Sequence, residues 1–210
     1  MRIAFVAVLL YCCNVCFAQN DDYPDFRSKR DLFKRILEKD IRSDVASFTL
    51  AGIDESVGKL QLKSIPITSA TPNSISFAGE NVQVTITAAP FNPAKHKLGY
   101  YGDSKYLFKL DNKGYFGDYG KVPKTQIDKI TVLIGRDTVD VPATAYNDIF
   151  NPVFSFNEAG VQKSNDKVLL SADGKKIYIY MLKRELNTGY EVTWVIQDKK
   201  YLRRVVDWGF

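Results

Sequence analysis

Cysteine is confined to the first residues of this 210-residue chain, at Cys12, Cys13 and Cys16. Everything after residue 16 therefore lacks disulfides, thiol nucleophiles and cysteine-ligated metals. A domain without such cross-links depends on its hydrophobic core, and about 150 to 200 residues are enough to build one.

Histidine is almost absent too, since His96 is the only one. A lone imidazole excludes histidine-rich zinc motifs, and there is no G-x-S-x-G segment that would place a serine nucleophile. Phosphate-binding loops and dinucleotide fingerprints are also missing from the sequence. We therefore expect no cofactor and no metal, and we expect His96 to lie in an exposed loop.

The first 18 residues have the pattern of a secretory signal peptide. Met1 and Arg2 precede an apolar run of about nine residues, too short to cross a bilayer as a helix, and Ala18 precedes a plausible cleavage point. The rest of the chain has no Asn-x-Ser/Thr sequon. These features predict removal of residues 1–18 and export to a bacterial periplasm, cell surface or extracellular space.

One amphipathic helix is predicted over residues 28–43, after a flexible polar segment at 19–27. Apolar residues recur there at steps of three and four, the spacing of a single helix face: Phe33, Leu37, Ile41, Val45 and Phe48. A charged face opposite them indicates that the helix packs on another apolar surface.

Strands are predicted over most of the remaining chain, in segments that alternate apolar and polar residues. They are residues 59–67, 80–87, 105–110, 128–134 and 137–141, and then four strands within 167–208. Turn signals at Asp173-Gly174, at 187–189 and at Asp198-Lys199 predict that these last four form an antiparallel meander. Residues 143–150 are expected to form one or two helical turns.

These patterns predict a mainly β protein with a single domain over residues 28–210. Its architecture is expected to be an antiparallel β-sandwich or meander sheet with one N-terminal amphipathic α-helix. No transmembrane helix is expected. The sequence does not determine the oligomeric state.

The net charge of the whole chain is +5, and its basic residues are spread along the sequence. Spread lysines are typical of a solvated surface, whereas nucleic-acid binding usually needs a basic stripe with interleaved aromatic residues. No nucleic-acid partner is therefore predicted.

A pentapeptide made of glycine, two aromatic residues, glycine and aspartate occurs twice. The copies are GYYGD at Gly99–Asp103 and GYFGD at Gly114–Asp118. Stacking rings and two carboxylates favour a ligand-binding region, although tyrosines on a sheet often serve packing alone. The candidate ligand-binding residues are Tyr100, Tyr101, Asp103, Tyr115, Phe116, Asp118 and Tyr119.

The predicted strands limit whether the two copies of the pentapeptide can bind one ligand together. A type I turn over Asp111 to Gly114 would make a hairpin in which Leu110 faces Tyr115. Asp103 and Asp118 would then lie roughly 13 Å apart at ~3.3 Å per residue, too far to share one small ligand. A calcium loop from Asp111, Asn112 and Asp118 is a weaker alternative, because the turn already explains Asp111.

Paired carboxylates are the remaining catalytic possibility, since a glycoside hydrolase needs only two acids. Glu191 is the glutamate with aromatic company, on a predicted strand beside Trp194. Local spacing pairs it with no second acid, so the sequence assigns no catalytic residue.

Apolar residues occupy every second position at the C-terminus. Val206, Trp208 and Phe210 lie on one face, and the ending resembles the terminal strand of outer-membrane β-barrel proteins. Arg204 interrupts that face, and the segment KIYIYML is apolar on both sides, which a lumen-lining strand would not be.

Taken together, these features favour an exported, soluble cell-envelope protein that binds a glycan or protein partner rather than catalysing a reaction. Two alternatives remain open from sequence, a two-carboxylate glycan hydrolase and a small outer-membrane β-barrel.

Overall fold

The computed structural model describes residues 31–59, 61–103, 105–118, 120–184 and 189–208. The predicted signal peptide, the segment 19–27 and the first three residues of the predicted helix lie outside these ranges. So do Tyr119 and most of the predicted turn at 187–189.

The described residues are mainly β. In chain order the strands are β1 Lys63–Ile65, β2 Ile67–Thr71, β3 Ser74–Gly79, β4 Val82–Pro90, β5 Leu98–Tyr100, β6 Leu107–Leu110, β7 Thr125–Ile134, β8 Asp137–Val139, β9 Phe156–Glu158, β10 Val161–Lys163, β11 Lys167–Leu170, β12 Lys176–Lys183, β13 Tyr190–Gln197 and β14 Lys200–Trp208.

Ten of these strands form two open antiparallel sheets. Sheet A has the order β1-β11-β12-β13-β14, and sheet B has the order β2-β3-β4-β7-β8. The segment predicted as one strand at 59–67 is divided between the sheets at Pro66, which has no N–H to donate to either ladder. β5–β6 and β9–β10 form separate two-stranded ribbons.

The main core lies between the sheets, which confirms the predicted β-sandwich. Its buried side chains come from both inner faces and include Ile75, Val84, Ile86, Val132, Val168, Ile179, Trp194 and Val206. Alternate residues of each strand supply them, because successive side chains point to opposite faces of a sheet.

The four-stranded meander predicted at 167–208 is also confirmed, as β11 to β14. Residues 171–175 connect β11 to β12, and Asp198 and Lys199 form a tight turn with φ of 49° and 61°. Every residue of β12 is buried, because sheet B covers one face and the helical region covers the other.

The N-terminal helical region is present but differs from the single helix predicted. Helices α1 (Asp31–Lys34) and α2 (Lys39–Ala46) are separated by an extended Glu38, with φ −72° and ψ 109°. The interruption leaves Leu37 87% exposed, although helical spacing had placed it on the buried face.

Tertiary contacts account for this break. Glu38 forms an ion pair with Arg203 of β14. On either side of it, the helical region buries apolar residues on the outer face of sheet A, which are Phe33 of α1, Ile36 of the connecting residues 35–38, and Ile41, Val45 and Ala46 of α2. The molecule therefore has three layers, with helices over sheet A and sheet A over sheet B.

Residues 143–150 contain a single 3₁₀ turn at Ala143–Ala145, which agrees with the short helix expected there. Within the described ranges, no helix is long and apolar enough to cross a membrane.

Candidate binding surface on the tyrosine hairpin

All seven candidate residues belong to one excursion of the chain, residues 91–124, which connects β4 to β7 of sheet B. A small core forms where Phe91, Leu107, Leu110 and Tyr115 of the excursion pack with Phe150, which lies outside it between β8 and β9. Strands β5 and β6 pair within it as an antiparallel hairpin. The candidate region therefore packs against the segment around Phe150 and is attached to the sandwich through it.

The first copy of the repeat lies at the tip of this hairpin. The amide of Tyr101 donates to the carbonyl of Tyr106 at 3.0 Å, and Gly102 has a φ of 54° in the connecting loop. Tyr100 is 42% exposed and Tyr101 is 65% exposed, and Asp103 is exposed as well. These rings are accessible to a partner.

The second copy is buried and has a structural role. The hydroxyl of Tyr115 donates to the carbonyls of Leu107 and Asp118, at 3.3 Å each. Burial raises the pKa of Tyr115, and the neighbouring Tyr106 and Asp118 add to the increase. The two copies therefore do not form a duplicated site.

The predicted turn and hairpin in this region are wrong. Leu110 and Lys113 exchange two backbone hydrogen bonds of 2.9 Å, so the central residues of the turn are Asp111 and Asn112. Both have positive φ, 52° and 63°, which gives a type I′ turn. Asp and Asn tolerate this left-handed conformation better than most residues.

The partner of β6 also differs from the prediction. β6 pairs with β5, with Gly99 opposite Lys109, rather than with residues 115–118. Leu110 therefore does not face Tyr115 across a hairpin.

Phe116 packs against sheet A. Its ring centroid lies 5.7 Å from that of Trp208 and 6.4 Å from that of Tyr190, and the guanidinium of Arg204 lies 5.8 Å from it. Arg204 in turn forms an ion pair with Asp148. Phe116 thus fixes the excursion to the sandwich.

Asp118 forms an ion pair with Lys183 at the end of β12, and Lys183 is only 1% exposed. The Asn151 side chain donates to Asp118 at 2.7 Å, and its oxygen accepts from the amides of Lys124 and Thr125. This network links the excursion, sheet B and sheet A. Sequence reasoning missed Lys183, although a lysine directly after the apolar run at 177–182 was a usable signal.

Gly120 allows close packing beneath the hairpin. Its φ is +82°, and a Cβ at this position would lie 2.7 Å from two ring carbons of Tyr106. Tyr106 is 49% exposed, so one side of its ring contacts the backbone and the remainder faces solvent. Tyr119, the last candidate residue, lies outside the described residues.

We define the tyrosine surface as Tyr100, Tyr101, Tyr106, Phe108 and Lys109. The rings of Tyr101 and Phe108 meet edge to face at 6.4 Å between centroids, and the Lys109 ammonium lies 5.6 Å from the Phe108 ring. Exposed tyrosines offer a large, rigid contact area that loses little entropy on binding. The exposed rings therefore offer contact area to a partner.

His96 is held by Phe91 and Asp111. Its ring stacks on Phe91 at 4.6 Å, and Nδ1 lies 2.7 Å from the Asp111 carboxylate, which also accepts the Lys97 amide at 2.8 Å. The hydrogen bond to His96 lowers the pKa of Asp111. No group of three or more His, Cys, Asp or Glu side chains suited to a metal ion occurs among the described residues.

The strongest candidate for a carboxylate pair lies elsewhere, on sheet A. Glu191 and Asp207 are directly opposite each other on β13 and β14, and both are buried. Cross-strand Cβ atoms lie about 4.5–5.5 Å apart. Spacing along the sequence could not identify this pair, because the residues that face each other are set by the register between β13 and β14.

The environment of Glu191 indicates a structural role. Its oxygens accept the amides of Leu50 and Ala51 at 2.8 and 2.7 Å, and the Tyr180 hydroxyl at 2.7 Å. Trp194 belongs to the core between the sheets, so it lies on the opposite face of β13. A buried carboxylate with three donors does not offer the open cleft that glycoside hydrolysis needs.

Comparison of the chain with family models, with curated proteins and with solved structures found no match.

Proposed function

We propose that this protein is an exported binding protein that contacts a glycan through the tyrosine surface. The observation that carries the proposal is the set of three tyrosine rings, 42, 65 and 49% exposed, on a hairpin fixed to the sandwich. Exposed apolar area of this kind, clustered on a rigid scaffold, commonly marks an interaction site.

Tyrosine suits a sugar ring for two reasons. Its flat apolar face can cover the C–H face of the sugar, and its hydroxyl can exchange hydrogen bonds with the sugar hydroxyls. The scaffold below the hairpin also contributes, because the contacts of Tyr115, Phe116 and Asp118 fix the hairpin before a ligand arrives. A preorganised surface binds at a lower entropic cost.

Export is part of the same proposal. It rests on the basic start, the short apolar run and the cleavage pattern that ends at Ala18. Expression of the full chain in a Gram-negative host is expected to give a periplasmic or extracellular product whose N-terminal residue is Gln19. Recovery of an uncut chain in the cytoplasm would contradict export without affecting the binding proposal.

The binding proposal is tested on an array of bacterial envelope polysaccharides with the purified chain from Gln19 onward. Tyr101→Ala removes the most exposed ring, and we expect about tenfold weaker binding, because one aromatic contact contributes about 1–1.5 kcal/mol. The triple change of Tyr100, Tyr101 and Tyr106 to Ala is expected to abolish binding.

Leu202→Ala is the matched control, since Leu202 is 42% exposed on β14, outside the excursion. Its binding should equal that of the unchanged protein, and far-ultraviolet circular dichroism should show that all variants are folded. Glycan binding that survives the triple change, or binding to proteins alone, would refute the proposal.

A further inference from the structure

Positive charge is concentrated on the excursion that carries the tyrosine surface. Residues 91–124 contain seven of the chain's 29 basic residues and three of its 24 acidic ones. This sixth of the chain therefore carries a formal charge of +4, out of a total of +5. The remainder of the protein is close to neutral.

The three acidic residues do little to offset these lysines. Asp111 is bound to His96, and Asp118 forms its ion pair with Lys183, which lies outside the excursion. Only Asp103 remains near the hairpin tip, on the loop that also contains Lys105. Asp118 is thus balanced by a lysine from outside the excursion, and Asp103 and Asp111 are the two exposed carboxylates among seven lysines.

The lysines of the excursion pair with carboxylates less often than those elsewhere, where five of the twelve described lysines do so. In other parts of the described chain, five lysines form ion pairs with carboxylates: Lys63, Lys163, Lys176, Lys183 and Lys199. None of the seven in the excursion forms an ion pair with a described residue, and six of them are exposed: Lys95, Lys97, Lys105, Lys113, Lys121 and Lys124.

Lys109 connects this charge to the aromatic rings. Its ammonium lies against Phe108, and Phe108 contacts Tyr101, so a cation and two rings are contiguous. Lys105 precedes Tyr106 in the same hairpin. A ligand that covers Tyr101 and Phe108 would therefore also approach the Lys109 ammonium, and the exposed Lys105 lies on the same hairpin.

We propose that the glycan bound by the tyrosine surface is acidic, a polysaccharide with carboxylate or sulfate groups. This inference rests on the binding function proposed above and specifies its ligand class. Clustered positive charge raises the local concentration of an anionic partner and speeds association, with a strong dependence on salt. The rings contact the sugar faces while Lys105 and Lys109 pair with the acidic groups.

A membrane surface fits these residues less well. Among the described residues of the excursion, the exposed large apolar side chains are Tyr100, Tyr101, Tyr106 and Val122. Insertion between lipid acyl chains typically uses Trp, Phe and Leu on a helix face. Hydroxyl-bearing rings favour a partner that is rich in hydroxyl groups.

The test uses two pairs of polymers that differ only in charge. Polygalacturonate is compared with its methyl ester, and dextran sulfate with dextran, by titration at 50 and 500 mM NaCl. We expect at least one acidic polymer to bind about tenfold or more tightly than its neutral counterpart at 50 mM NaCl, with most of that difference lost at 500 mM because added salt screens the charges.

Two double variants separate local charge from net charge. Lys105→Gln with Lys109→Gln is expected to weaken binding to the acidic polymer about fivefold or more. Lys175→Gln with Lys200→Gln removes the same charge from exposed positions near the turns of sheet A and should leave binding unchanged. Equal losses in both variants would overturn the assignment to this surface.

The polymers also separate this inference from the proposed function. Equal binding of charged and neutral polymers would overturn the acidic ligand and leave glycan binding intact. Absence of binding to all four polymers would overturn both. Tighter binding to vesicles of phosphatidylglycerol and phosphatidylcholine, or to single-stranded DNA, would also overturn the inference.

Discussion

Buried polar side chains are the residues whose roles are easiest to test individually. Glu191 accepts the amides of Leu50 and Ala51 and the hydroxyl of Tyr180, and so holds the segment after α2 against sheet A. Burial raises its pKa, while the three hydrogen bonds act in the opposite direction. The carboxylate is therefore matched to three donors.

Glu191→Gln is expected to lower the free energy of unfolding by about 2–3 kcal/mol, because the amide nitrogen would face another donor. Urea denaturation at pH 7 measures this loss. Tyr180→Phe removes one donor and leaves the carboxylate, so its cost should be smaller, about 1.5 kcal/mol. A Glu191→Gln variant as stable as the unchanged protein would contradict the role assigned to this carboxylate.

Asp166 gives a pH-dependent prediction. It is buried, one oxygen accepts the Leu182 amide at 3.1 Å, and the other has no hydrogen-bond partner. Burial raises its pKa well above the ordinary value of 3.8. The folded state therefore binds this proton more tightly than the unfolded state, so stability from this group is lost as pH rises through the folded-state pKa.

Asp166→Asn keeps the acceptor and removes the ionisation. The difference in unfolding free energy between this variant and the unchanged protein should shift in favour of the variant as pH rises from 4 to 8. Other carboxyl groups are present in both proteins and cancel in the comparison. A difference that does not change with pH would show that Asp166 does not titrate as inferred.

Among the structural elements, the hairpin of β5 and β6 depends most on one glycine. Gly120→Ala would combine an unfavourable positive φ with a Cβ 2.7 Å from the Tyr106 ring. We expect a loss of about 1–3 kcal/mol in stability and weaker ligand binding, because the ring must move. Thermal unfolding and polymer titration measure the two effects.

Gly102→Ala provides the comparison, since Gly102 also has positive φ but no atom lies within 4 Å of an added Cβ. Its cost should be confined to backbone strain, about 1–2 kcal/mol. If both variants bind the polymer equally well, the contact of Tyr106 with Gly120 does not position the tyrosine surface.

Elements with strong local signals were predicted well. The meander of β11 to β14 follows from alternating residues and turn dipeptides, and the two-residue turn at Asp198-Lys199 is present as expected. Elements set by tertiary contacts were not predicted. The break at Glu38 depends on Arg203, 165 residues away in sequence, and no local pattern contains that information.

The candidate site was also predictable only in part, because tertiary contacts decide which of its residues are exposed. Sequence alone located the excursion through its repeated aromatic pentapeptide, but it could not separate exposed Tyr101 from buried Tyr115. Both belong to a copy of the same pentapeptide, and only the packing of Tyr115 against Leu107 and Phe150 distinguishes them. The pairing of Asp118 with Lys183 likewise depends on how the excursion docks on β12.

For the whole molecule, the proposed binding surface lies outside the three layers that hold the two larger cores. The cores between the sheets and beneath the helices bury most of the large apolar side chains, while the excursion concentrates the net charge and three exposed tyrosines. Loops on a rigid scaffold commonly carry function in this way. Changes on the excursion surface should therefore alter binding more than global stability.

Amide chemical-shift mapping by NMR is the most direct test of whether the tyrosine surface binds an acidic glycan. Oligogalacturonate is titrated into isotope-labelled protein at 50 mM NaCl. We expect the largest shift changes at Tyr100, Tyr101, Tyr106, Phe108 and Lys109 and near Gly120. Changes concentrated elsewhere, such as the open cavity lined by Ser164, Leu182 and Arg184, would contradict this expectation.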